Sequence, residues 1–135
     1  MIRSALVVAE PYASLIASGE KTLELRYART SKRELVGIIR KGSGLIIGVV
    51  HVSGSIGPLA EADLDGLRDR HLVPVGELAG RPAWRSGWEL EAARRLPEAV
   101  AYRHPNGAQS WVTIADQEVR SRIARQVQPS CGAPV

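Results

Sequence analysis

Lys21, Glu24 and Arg26 put an amine, a carboxylate and a guanidinium within six residues, just after Gly19 and next to the hydroxyl of Thr22. Each group has a chemical use. A lysine fixed at a turn can bind phosphate, or move a proton if it is partly desolvated. A carboxylate can accept hydrogen bonds from a base edge or act as a general base. An arginine can fork onto a phosphate or stack on a base. The Thr22 hydroxyl becomes a nucleophile only where a base activates it; otherwise threonine is simply a good strand former. Leu23 and Leu25 alternate with these groups. Read as a strand, Thr22, Glu24 and Arg26 share one face and the leucines the other. A solvated face with a Glu24–Arg26 ion pair fits the same pattern, and such a pair contributes only about 0–1 kcal/mol.

The flanking sequence supplies the elements that would hold these groups. Residues 2–8 form an apolar run that reads as a buried strand. Pro11 suits the first turn of a helix, residues 13–18 continue it, and Gly19 ends it. That helix delivers the chain to Lys21 at a tight turn. Residues 27–34 are a polar, basic loop, followed by strands at 35–40 and 45–52 around a turn at 41–44. Residues 61–72 read as an amphipathic helix, and residues 73–87 are broken by Gly76, Gly80, Pro82 and Gly87. Residues 88–95 fit a strand or a helix alike, and strands are expected at 99–102 and 110–114, with a His104-Pro105-Asn106-Gly107 turn between them. A C-terminal helix over 116–127 and a loose tail at 128–135 complete the chain. Strands outnumber helices and no regular βαβ alternation occurs. The expected class is therefore α+β, mainly β: a small curled sheet with two or three peripheral helices.

The chain has 135 residues, one domain by size, spanning residues 1–127 ahead of the flexible tail. Its net charge of +4 is localised. Residues 20–41 hold seven basic and three acidic side chains, and the remainder is balanced at eleven of each. A concentrated basic patch suits a polyanion. Arg29, Arg40 and Lys41 in this patch are candidate backbone contacts, and Tyr12 and Trp111 are candidate stacking platforms. Core packing is the alternative for Trp111, and either role is open for Trp84 and Trp88. The lone Cys131 lies in the tail, and His51, His71 and His104 lack metal-site spacing. No metal and no cofactor is expected, because no phosphate loop, dinucleotide motif or nucleophile elbow is present. His51, in an apolar strand, reads as a core histidine with a hydrogen-bond partner. No signal peptide or membrane span is apparent, and a cytoplasmic location is expected.

Gly19, Lys21, Glu24 and Arg26 match all four fixed positions of the GxKxxExR signature of the ASCH domain family. The Pro11-Tyr12 helix start, Trp88-Glu89-Leu90-Glu91, and the His104–Ala108 turn followed by Trp111-Val112 are similar to further blocks of that family, in order. The resemblance runs from about residue 2 to about residue 115. It implies a strand at 88–91 and a PUA-like small β-barrel with a cleft between barrel and helices. It also implies an RNA-binding role, with single-stranded RNA or a modified nucleoside held around Tyr12, Lys21, Glu24 and Arg26. Some small members of the family hydrolyse the amide of N4-acetylcytidine with a Lys and a Thr of the signature plus a separate Glu; others cleave RNA. Here Glu24 stands where that Thr would be, which argues against a Thr-based amidase and leaves open a Lys21/Glu24 acid–base hydrolysis. The separate Glu has no firm counterpart, since Glu77 lies in the least readable stretch. A non-catalytic module for an acidic protein partner is the remaining alternative.

Overall fold

The computed structural model describes residues 2–127; the tail expected at 128–135, with Cys131, lies outside them. Six strands among the described residues form one mixed sheet curled into a half-barrel: β1 (Ser4–Val8), β2 (Leu23–Arg26), β3 (Leu35–Arg40), β4 (Leu45–Ile56), β5 (Ser86–Ala101) and β6 (Trp111–Thr113). Their order across the sheet is β2-β5-β4-β3-β1-β6. Only the β1–β3 pair is parallel. Among the described residues five helices surround the sheet: α1 (Tyr12–Ala17), α2 (Glu61–Gly66), α3 (Arg68–His71), α4 (Val75–Ala79) and α5 (Gln117–Val127).

The half-barrel agrees with the mainly-β expectation, while the helices outnumber the two or three expected. The amphipathic segment at 61–72 is two short helices joined at Leu67, and α4 lies in the stretch that periodicity left unread. The strands expected at 88–91 and 99–102 are parts of one strand, β5. Ala92, at φ 54°, bends it, and Pro97 interrupts the strand pattern. Pro97 is tolerated because β2 pairs only with Ser86–Glu89, so the distal half of β5 has a free edge and needs no donor there. Among the described residues His51 Nδ1 is buried without a hydrogen-bond partner, contrary to expectation.

Three apolar clusters place the site. One packs α5 against Leu96, Val100, Val112 and Ile114. A second packs α1, through Ala13, Ile16 and Ala17, on the sheet's other face near Val36, Ile38 and Val50. The third buries Leu23 and Leu25 of β2 against Leu64 and Val73 of the segment between β4 and β5. The leucine face of β2 is therefore internal, and Glu24 and Arg26 turn to the opposite side.

Candidate functional site

A cleft of about 580 Å³ opens between the end of β1, the start of α1, β2 and the segment carrying α4. Its size suits a nucleoside or small-molecule ligand. Lys21 and Glu24 sit at its base, 1% and 6% exposed. Gly19, at φ 86°, makes the turn out of α1 that an L side chain would strain. The Lys21 N–H then donates to Leu15 O at 2.9 Å, fixing the residue against the helix it has just left.

The Lys21 ammonium donates to the His71 carbonyl, lies 3.7 Å from Glu24 Oε1, and sits over the Tyr12 ring at 4.9 Å from its centroid. Burial pulls its pKa below the usual 10.5, against the opposing pull of Glu24. Glu24 Oε2 accepts a 2.8 Å hydrogen bond from Arg26 Nε. Arg26 Nη2 reaches across the cleft to donate to Val7 O at 3.0 Å. Tyr12 OH donates to Glu77 Oε1 at 2.7 Å. Burial, followed by this carboxylate, raises the phenol's pKa. One carboxylate and one amine thus meet at the deep end of the cleft, and the exposed Glu77 lines it from the segment carrying α4. Arg29, Lys41 and Arg81 stand exposed along its walls.

Two residues expected at the site lie elsewhere. Thr22 precedes β2 and does not line the cleft: its N–H donates to Arg70 O at 3.0 Å and its Oγ1 accepts from Arg70 Nε at 3.2 Å. Strand alternation assumed that β2 began earlier than Leu23. Arg40 is held by Glu10 through a 2.8 Å ion pair. The same Glu10 carboxylate accepts from the Ser14 N–H and hydroxyl, so it caps α1 from outside the helix. Tyr12, Lys21, Glu24, Arg26, Arg29, Lys41 and Trp111 are brought together as expected. Trp111 stacks on the buried Trp88, with centroids 5.7 Å apart and planes 10° apart. Glu77, Arg81 and Trp84 join the lining from the broken stretch, where no periodic signal marks them.

His71, which the spacing of histidines singled out only as a non-ligand, supports the site from below. It is fully buried, its Nδ1 accepts from the Val73 N–H at 2.9 Å, and Nε2 therefore carries the proton that goes to Leu64 O at 2.7 Å. Burial lowers its pKa below 6.5. The unfolded chain consequently binds the His71 proton first, so stability contributed by the neutral ring is fully present above pH 6.5 and falls as pH drops below it. Thermal melts at pH 7.5 and below 6 should show this loss, and His71→Gln should flatten that part of the profile. An equal slope in both proteins would exclude the assignment.

Among the described residues no three His, Cys, Asp or Glu side chains converge on a metal position. No helix among them is long and apolar enough to cross a membrane.

Comparison with known proteins sets this geometry in context. A family model described as ASCH domain matches residues 6–97. No curated protein matches the chain. The crystal structure of ASCH from Zymomonas mobilis superposes with a TM-score of 0.70 at 11% identity, covering 90% of this chain and 93% of that one. A serine-to-alanine mutant of the Zymomonas mobilis protein gives 0.67 at 12% identity, covering 90% and 94%. Its tyrosine-to-phenylalanine mutant gives 0.65 at 12%, covering 90% and 96%. At such identities the likeness is one of fold.

Proposed function

Because the chain belongs to the ASCH domain family, we propose that it binds single-stranded RNA, or a nucleoside, in this cleft. One observation carries the reading: a buried ammonium and carboxylate, Lys21 and Glu24, sit together at the base of the cleft, while Glu77, Arg29, Lys41 and Arg81 lie exposed along its walls. Glu24 and Glu77 can accept from the amino and imino N–H groups of a base edge, and Lys21 can donate to a carbonyl. The exposed cations can meet phosphate. Recognition of an unstacked base in this manner is how RNA is commonly read outside duplexes.

The test is a titration with labelled single-stranded RNA and, separately, with N4-acetylcytidine. Lys21→Met should weaken binding about 10-fold or more, the cost of a lost charge-assisted hydrogen bond. Three phosphate contacts would give a slope of about −2 in log affinity against log salt for the RNA. Absence of binding to both ligands would reject the reading.

A second reading, hydrolysis in the same cleft, is favoured by the depressed pKa of Lys21 beside Glu24. In its neutral form the amine could take the proton of an attacking water and, as the ammonium so formed, return it to the leaving group. This would suit an amide or a phosphodiester. Product formation from either ligand, lost in Lys21→Met, would establish it, and binding without product would reject it.

A further inference from the structure

Four aromatic rings in or beside the cleft each carry a cation. Lys21 Nζ lies 4.9 Å from the Tyr12 centroid, Arg26 Cζ 5.5 Å from Trp88, Lys32 Nζ 4.7 Å from Trp111, and Arg81 Cζ 5.0 Å from Trp84. A chain of this length would ordinarily hold about two such contacts, and here all four gather in one region. The cations differ in how firmly they are held. Lys21 is tied to the His71 carbonyl and Glu24, and Arg26 to Glu24 and Val7 O. Lys32 Nζ has no hydrogen bond or ion pair among the described residues; its backbone N–H donates to Thr30 Oγ1 and its carbonyl accepts from Arg33 Nη1. The Arg81 guanidinium is likewise free of such partners there, but its ring, Trp84, packs into the apolar cluster beneath β2.

Trp111 is differently placed. It is half-buried, lines the cleft, and lies nearly parallel to Trp88. Trp88 is itself buried and anchored by its Nε1–H to Ala28 O at 2.8 Å. Trp111 is therefore a backed, oriented ring whose accessible cover is one loosely held ammonium. The contacts run in series from Tyr12 through Lys21, Glu24, Arg26 and Trp88 to Trp111. The ring thus stands at a distance from the deep end where a first base would sit. Arg29 and Lys41 line the same cleft and carry charge for the strand between.

We propose that Trp111 is a platform for a second nucleobase, which displaces Lys32 from the ring and stacks there, while the released ammonium pairs with the adjoining phosphate. A stacked base is held at least as strongly as a half-buried cation over a ring, and Lys32 exchanges a ring for an anion. The inference rests on the RNA reading of the cleft and narrows it: the preferred ligand is a strand of at least two nucleotides, and a free nucleoside fills only part of the site.

The experiment compares a mixed-sequence RNA hexamer with the four ribonucleoside 5′-monophosphates, titrated against wild type, Trp111→Leu, Trp111→Phe and Lys32→Ala, with circular dichroism as the check of folding. Trp111→Leu should weaken the hexamer about 5- to 150-fold, the range of one lost stacking contact, and weaken the monophosphates far less. Trp111→Phe, which keeps a ring, should retain most of the hexamer affinity. Lys32→Ala should reduce the salt slope of hexamer binding by about 0.7, one phosphate contact on a single strand. Equal weakening of hexamer and monophosphate by Trp111→Leu, or an unchanged salt slope in Lys32→Ala, would overturn the second platform while the cleft reading stands. A wild type that binds neither ligand would overturn both. Should Trp111→Leu fail to fold, Lys32→Ala, in a loop, decides the matter.

Discussion

Glu24→Ala is expected to destabilise the protein by about 3–5 kcal/mol, the cost of breaking a buried pair from one side. The reason is an asymmetry in the cluster. Glu24 is the carboxylate for two cations, Lys21 at 3.7 Å and Arg26 at 2.8 Å. Arg26 retains the Val7 carbonyl when Glu24 is lost. Lys21, 1% exposed, retains only the His71 carbonyl and the Tyr12 ring. A charge left in that position cannot recover its hydration. Lys21→Met should cost less, about 1–3 kcal/mol, because it leaves one carbonyl without its donor while Glu24 stays paired with Arg26. The double variant should therefore be more stable than the sum of the two losses implies, with a coupling of about 0.5–3 kcal/mol. Urea denaturation of the four proteins measures this directly. Additive losses would mean that the two side chains do not sense each other. A domain with about 5–15 kcal/mol in total has little margin for the single glutamate variant, so Lys21→Met is the suitable substitution for binding assays.

Gly48→Val is expected to damage both the fold and the site, although Gly48 touches no cleft residue. A Cβ built there would lie 2.8 Å from Ala17 Cβ and 3.0 Å from the Arg94 carbonyl oxygen. Neither neighbour can give way by rotating a flexible end. Ala17 is the last residue of α1, buried on β4, and Arg94 O belongs to the neighbouring strand. Overpacking of this kind costs about 1–3 kcal/mol, or about 3–11 °C in Tm for a chain of this size. The response open to the protein is to lift α1 from the sheet. That helix carries Tyr12 at one end and delivers Lys21 from the other, so RNA affinity should fall more than the loss of stability alone explains, even well below Tm. Gly76→Ala is the control: its Cβ would meet nothing within 4 Å, and Tm should hold or rise slightly. Full affinity in folded Gly48→Val would show that the α1 position does not govern the site.

Much of this frame is legible in the residues. The β-branched runs of β1, β3 and β4 and the Pro11-to-Gly19 helix announce themselves by period and punctuation, and the charge excess over residues 20–41 includes Lys21, Arg26, Arg29 and Lys41 of the cleft. Lys21, Glu24 and Arg26 stand together because a turn and one short strand bring them there, which is local information. Thr22 was misread for an equally local reason: alternation gives faces only within a strand, and β2 starts one residue later. Glu77 and Trp84 were out of reach because short helices between Gly and Pro leave no period, and their placement depends on Leu23 and Leu25 finding Leu64 and Val73 across the chain. The ion pair of Arg40 with Glu10 is likewise a matter of which strand ends beside which helix.

The chain from Gly57 to Arg85 closes one side of the cleft without contributing a strand to the half-barrel. Its first half is bound to the frame: the carbonyls of Arg70 and His71 receive Thr22 and Lys21, and any replacement must keep them in place. Its second half brings Glu77, Arg81 and Trp84 to the cleft, while Leu78 and Trp84 pack beneath β2 and the Arg85 carbonyl receives the Leu59 N–H. Substitutions at Glu77 and Arg81 can therefore change what enters the cleft, while the sheet goes on presenting the same amine, carboxylate and guanidinium. The choice of ligand and the stability of the frame are, in this segment, assigned to different side chains.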